Sequence, residues 1–291
     1  MVPVGVVGVV AVGALAPGAS ADLPARTPQQ VLELAQQGAE LDAYSGTVQV
    51  RTDLGIPAAL LGGDASPGGM ATSGERTLRV WKDGEERQRV SVATRMGEQT
   101  LVRDGDVAWA WDSGDATATR LALPEGAEKT PPWASGEAVD PGEAAQWVLD
   151  AVGPTTQVSA GEPTTVAGRE AYELVLVPTQ QGTLVGRVAL AVDAETGAVL
   201  RLQVTATGAG EPAVDVAYTA FDPTAPPADV FAFSPPPGST VERVEVPSSG
   251  PTPKGDGPRP DVVGSGWRTV VVLPPGAAGD AAAQLPPGVA Q

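Results

Sequence analysis

Two Asp-Gly pairs, Asp83-Gly84 and Asp104-Gly105, each stand between runs of strand-forming residues. They narrow the fold more than any other feature. A primed hairpin turn needs positive φ, which Gly adopts without strain, so Asp-Gly between such runs predicts a β-hairpin. The first pair joins Thr77-Leu78-Arg79-Val80-Trp81 to Glu86-Arg87-Gln88-Arg89-Val90-Ser91-Val92. The second joins Glu98-Gln99-Thr100-Leu101-Val102-Arg103 to Val107-Ala108-Trp109-Ala110-Trp111.

The same alternation continues elsewhere. Tyr44 to Arg51 alternates in its later positions. Tyr172, Leu174 and Leu176 share one face of a strand, and Val188, Leu190 and Val192 share one face of another. A longer turn, Asp193 to Gly197, leads into Ala198 to Val204, and Val214 to Tyr218 follows. Phe231-Ala232-Phe233, Val241 to Val246 and an isolated Trp267 to Leu273 complete the expected strands. Helices are few. Thr27-Pro28-Gln29-Gln30 is a helix start with a capping box and Pro at the first position, and an apolar face runs on to about Asp42. A second, short helix is expected from Asp140, its cap, to Leu149, with Trp147 facing inward. Residues 54–69 (LGIPAALLGGDASPGG) fit neither period and read as an apolar flap.

The 291 residues include no His and no Cys. Ser-His-Asp and Cys-His triads, zinc sites and redox dithiols are therefore excluded, as are disulfides. A formal charge of −17 argues against nucleic-acid binding through a basic patch. Scarce Ile, Asn and Lys point to a GC-rich bacterial genome. Residues 1–21 are expected to be an export signal or an uncleaved anchor: Val2 to Ala16 is uncharged, and Ala19-Ser20-Ala21 fits a cleavage site. The basic start of such a signal is missing, so the true start is expected upstream of Met1. Residues 22–246 form the main domain, 247–261 a Pro/Gly linker, and 262–291 a strand with a low-complexity tail, read as a truncated module.

The carboxylates Asp83, Glu85, Asp104, Asp106, Asp193 and Glu195 fall in turns, where a solvated role in local backbone bonding is expected. Asp104-Gly105-Asp106 lacks the later ligands of a calcium loop and reads as a turn. The six Trp against three Phe carry more signal. Trp81, Trp109 and Trp111 lie in neighbouring hairpins, either as sheet core or as lining of an apolar hollow.

Three stretches resemble the LolA superfamily of envelope lipoprotein and lipid carriers. That superfamily includes the LprG/LppX lipoproteins and the N-terminal domain of the RseB/MucB regulators. The stretches are Leu41-Asp42-Ala43-Tyr44-Ser45-Gly46-Thr47-Val48, then Arg103-Asp104-Gly105 through Trp109-Ala110-Trp111, then Asp222-Pro223 to Phe231-Ala232-Phe233-Ser234-Pro235-Pro236-Pro237-Gly238. The lipid-modified Cys of the LprG-type members is missing.

The resemblance implies an α+β fold: an incomplete antiparallel β-barrel of about eleven strands, with helices plugging its open side around an apolar cavity. It implies an extracytoplasmic, non-enzymatic carrier of lipid or lipoprotein acyl chains, with no cofactor, acting as a monomer. The cavity lining expected on this basis is Val48, Val50, Leu54, Leu60, Leu61, Trp81, Trp109, Trp111, Leu174 and Leu190. The alternative is a RseB/MucB-like regulator that binds a membrane-anchored anti-sigma factor and senses lipid. A hydrolase with a pair of acids is a third class.

Overall fold

The computed structural model describes residues 23–54, 73–94, 97–123, 141–142, 144–145, 155–245, 261–263, 266–268 and 270–272. The expected export signal, most of the flap with Leu60 and Leu61, Trp147 and nearly all of the linker lie outside these residues.

One helix, α1 (Pro28–Ala39), precedes the strands. Its start follows from the sequence. Gln30 N–H donates to Thr27 Oγ1 at 3.3 Å, and Thr27 N–H donates to Gln30 Oε1 at 2.9 Å. Two orphan donors of the first turn are thereby satisfied reciprocally. The helix ends at Ala39, three residues before the expected Asp42, where Glu40 and Leu41 N–H groups bond back to Gln37 and Gly38.

The strands are β1 (Ala43–Asp53), β2 (Ser73–Asp83), β3 (Arg87–Ala93), β4 (Glu98–Asp104), β5 (Val107–Asp112) and β6 (Thr117–Ala122). After the β6–β7 connection come β7 (Thr156–Ala160), β8 (Thr164–Val166), β9 (Arg169–Pro178), β10 (Val185–Asp193), β11 (Val199–Ala206), β12 (Pro212–Asp222) and β13 (Thr240–Glu245). These thirteen strands form one strongly curved, unclosed sheet in the order β13-β6-β5-β4-β3-β2-β1-β12-β11-β10-β9-β7, with β8 beside β9. The two expected Asp-Gly hairpins are present, with Gly84 at φ +70° and Gly105 at φ +60°.

Four expectations are corrected. The sheet has thirteen strands where about eleven were expected; β6, β7 and β8 had no strong apolar alternation to announce them. Phe231-Ala232-Phe233 is not a strand: Ala228–Phe231 is a 3-10 turn, and the chain beyond it runs extended without a ladder. Nor is the sheet purely antiparallel, because β13 lies parallel to β6. At the C-terminal side, Trp267 belongs to a 3-10 turn, Gly266–Arg268, inside a two-stranded hairpin of β14 (Asp261–Val263) and β15 (Val270–Val272). The isolated strand expected over Trp267 to Leu273 is thus a turn plus one short strand.

Cross-strand partners share a face of a sheet, and alternate residues change face. The face carrying α1 is called inner here. Val31 and Ala35 of α1 pack on Leu174, Leu176, Val188, Leu190 and Leu202, all buried. The register Leu174–Leu190–Leu202–Val216–Val50 carries this face across the sheet to β1, and Val48–Leu78–Val92 carries it to β3. Close approach of α1 to the β10–β11 turn depends on two glycines. A Cβ on Gly38 would stand 2.0 Å from the Gly197 carbonyl carbon, and Gly197 has φ +78°.

That turn is held by Asp193, expected to be solvated but only 1% exposed. Its carboxylate accepts two bonds from Arg169, at 2.5 and 3.0 Å, and further bonds from Glu195 N–H, Thr196 N–H and Thr196 Oγ1. Burial alone would raise its pKa. The bonds from Arg169 and Thr196 outweigh burial and hold it below the usual carboxylate range. Asp104, Asp106 and Glu85 are exposed, as expected of turn residues.

Candidate functional site

The inner face is covered unevenly. Over β9 to β11, α1 fills it, and Leu174 and Leu190 are completely buried; Val48 on β1 is completely buried in a separate cluster with Leu78, Val80 and Tyr218. Over β3 to β5 the inner residues Val90, Val92, Leu101 and Ala110 are only half-buried. Between the two regions lies a hollow of about 150 Å³. Its lining comes from the last turn of α1 (Ala35, Gly38), Tyr44 of β1, Lys82 of β2, Tyr218 and Phe221 of β12, and Ala145. Ala144 and Ala145 also pack against the cluster beneath α1, so the β6–β7 connection crosses this face.

Three aromatic rings form one wall. Tyr218 and Phe221 have centroids 4.8 Å apart, and Tyr44 and Phe221 are 5.9 Å apart. Gly46 leaves the space that Tyr218 occupies, since a Cβ there would fall 2.5 Å from the ring. Lys82 Nζ donates to the Leu41 carbonyl at 2.8 Å and lies 5.7 Å from the Tyr44 centroid. A cavity of about this size admits a small ring such as benzene. A long hydrocarbon chain would have to continue along the half-buried rows of β3 to β5.

The ten residues expected to line one cavity are divided. Val48, Val50, Leu174 and Leu190 do lie on the inner face, although Val48, Leu174 and Leu190 are packed core rather than open lining. Leu54, at the end of β1, is exposed. Trp81, Trp109 and Trp111 are on the opposite, outer face. Trp81 pairs with Arg89, Arg89 with Val102 and Val102 with Trp109; Thr100 pairs with Trp111.

These tryptophans are covered by the chain that leaves β12. Phe233 lies 5.4 Å from Trp109 and 6.2 Å from Trp111. Phe231 is 1% exposed, and Arg89 Nη1 donates to the Val230 carbonyl at 3.0 Å while its guanidinium sits over Trp81. The Phe-x-Phe motif is therefore a strap over a tryptophan shelf. Strand parity in the sequence already separates the Trp residues from Val80 and Val90, but only the strap shows which side is outward.

Trp267 is the other displaced aromatic. Its Nε1–H donates to Thr156 Oγ1 at 2.8 Å, and its carbonyl accepts from Thr183 Oγ1 at 3.2 Å. The C-terminal hairpin is thus docked beside β7 and the β9–β10 turn, against the cluster beneath α1. Among the described residues no helix is long and apolar enough to cross a membrane, and no group of acidic side chains could hold a metal ion.

No family model and no curated protein matches the chain. Solved structures do. The MucA/MucB complex of Pseudomonas aeruginosa is similar at 17% identity and TM-score 0.43, over 70% of this chain and 61% of that one. The chain therefore spans about three fifths of the length of the MucB chain it matches. An uncharacterised conserved protein from Thermus thermophilus is similar at 13% identity and TM-score 0.40, over 74% of this chain and 98% of that one. A LolA superfamily protein from Nitrosomonas europaea is similar at 14% identity and TM-score 0.28, over 72% and 99%. The similar structures include members of the superfamily that the three sequence motifs resemble, and at these identities the likeness concerns fold alone.

Proposed function

We propose that the chain is an exported, non-enzymatic binding protein that holds a hydrocarbon chain of a lipid or lipoprotein on its inner face. One observation carries this reading: α1 covers only the β9–β11 half of that face. A hollow walled by Tyr44, Tyr218 and Phe221 is left, and Val90, Val92 and Leu101 on the same face are half-buried. Each methylene buried there contributes about 0.8 kcal/mol, so about ten suffice for stable retention without a covalent or catalytic step.

Native mass spectrometry of gently extracted full-length protein tests it. Co-purified lipid is the expected result, and a uniformly ligand-free mass, unchanged after incubation with decyl-chain amphiphiles, overturns it. A pull-down from envelope extract separates carrier from regulator. Stoichiometric retention of one membrane protein would identify the regulatory alternative, in which an anti-sigma factor is the partner.

A further inference from the structure

We propose that Lys82 and Arg103 form a cationic rim on the inner face, so that the ligand is an anionic amphiphile with a phosphate or carboxylate headgroup. This deepens, and rests on, the acyl-binding reading above.

This acidic chain sorts its charges by face of the sheet. The ion pairs Arg51–Glu75, Arg87–Asp83, Arg187–Glu173 and Arg201–Asp215 all occupy outward positions of their strands, where each cation is neutralised. The inner face differs. Register places Tyr44, Lys82, Gln88, Arg103 and Ala108 in one row across β1 to β5. No carboxylate among the described residues pairs with Lys82 or Arg103. Asp112 also points inward, but it stands at the far end of β5 and accepts from Gln99 and Gly114.

Arg103 is the sharper observation. It is 9% exposed, its Nε–H donates to the Gly105 carbonyl at 3.1 Å, and its Nη1 is buried with no hydrogen-bond partner. Buried donors in folded proteins are normally satisfied, and a guanidinium offers five in a planar fork that suits two oxygens of one anion. Lys82 uses one of its three donors on Leu41 and borders the hollow itself. Two strand spacings separate the cations, about 10 Å, a gap that long side chains can close on one headgroup. The next inner row is Gly46, Val80, Val90, Leu101 and Ala110. A charged head on the rim would thus lead directly to an apolar floor for the tail.

The test compares decyl phosphate, decanol and inorganic phosphate as probes of the full-length protein by calorimetry. The expected result is decyl phosphate about tenfold tighter than decanol at low salt, the ratio falling as salt is raised. Inorganic phosphate alone should bind far more weakly than either. Lys82→Gln should reduce the decyl phosphate to decanol ratio about threefold and Arg103→Gln more, whereas Arg51→Gln, on the outer face, should leave the ratio as it is.

Equal binding of decyl phosphate and decanol overturns the cationic rim and leaves acyl binding standing. Inorganic phosphate as tight as decyl phosphate replaces the amphiphile with a plain anion site and also overturns the proposal. Binding of none of the three removes both readings. Should Arg103→Gln fail to fold, the wild-type ratio, its salt dependence and Lys82→Gln still decide the matter.

Discussion

The two halves of this sheet carry their largest apolar side chains on opposite faces. From β9 to β11 the buried layer is inward, beneath α1, where Leu174, Leu176 and Leu190 are fully enclosed. From β2 to β6 the tryptophans lie outward, beneath the Phe231–Phe233 strap. The first half has spent its inner surface on stability. The second is stabilised partly from outside: Leu78, Val80 and Leu121 are buried inward on its flanking strands, and Val90, Leu101 and Ala110 between them are left incompletely covered. Moving part of the core to the back of the sheet is how a sheet with so little helix packed on it among the described residues can keep an inner surface available for a ligand.

The contrast predicts unequal costs for similar truncations. Leu190→Ala removes a fully buried side chain under α1 and should destabilise by about 3–4 kcal/mol. Leu101→Ala, on the half-covered inner row, should cost about 1 kcal/mol, since less contact area is lost. Urea unfolding midpoints measure both. Equal costs would mean that the two inner surfaces are equally packed, and the comparison would collapse.

Next in size is the ion pair that anchors the covered half. Asp193→Asn leaves Arg169 beside a neutral partner and should cost about 2–3 kcal/mol near neutral pH, below the full penalty of a buried pair because Arg169 stays one-fifth exposed. The sign of its pH dependence follows from the direction of the shift. The folded Asp193 carboxyl titrates below its unfolded value, so the folded protein holds the charged form more firmly. That stability is fully present above the ordinary carboxylate pKa, about 3.9, and is lost as pH falls through the lower folded value. The gap between wild type and Asp193→Asn should therefore be constant from pH 7 to pH 5 and narrow below pH 4, as followed by thermal melts.

Much of this architecture was legible because its signals are local. Thr27 to Gln30 specify the helix start through bonds within one turn, and Asp-Gly specifies both hairpins through the φ that only Gly adopts cheaply. What escaped depends on distant partners. Thr117–Ala122 carries little apolar alternation and becomes strand β6 because β5 and β13 bracket it. Asp193 looks like any turn acid until Arg169, twenty-four residues earlier, is placed against it. The candidate site suffered most. Strand parity separates Trp109 from Leu101, but nothing local says which face α1 will choose. Lys82 and Arg103 carry no local signal because a lone cation in a strand gains meaning only when its row is assembled.

The smallest effect probes the strap itself. Phe233 is half-buried and packs with its ring tilted against Trp109 and Trp111, so Phe233→Ala should cost about 1 kcal/mol, the scale of an aromatic contact with modest burial. Its diagnostic consequence is optical. Removing the cover exposes two tryptophans on the outer face, so emission should shift to longer wavelength and quenching by iodide should rise. Affinity for decyl phosphate should stay within twofold, because the strap lies behind the sheet and the rows from Tyr44 to Ala108 lie in front. A large loss of ligand binding in Phe233→Ala would place the tryptophan shelf in the site after all. The division of labour between the two faces would then be wrong, whatever the stability data said.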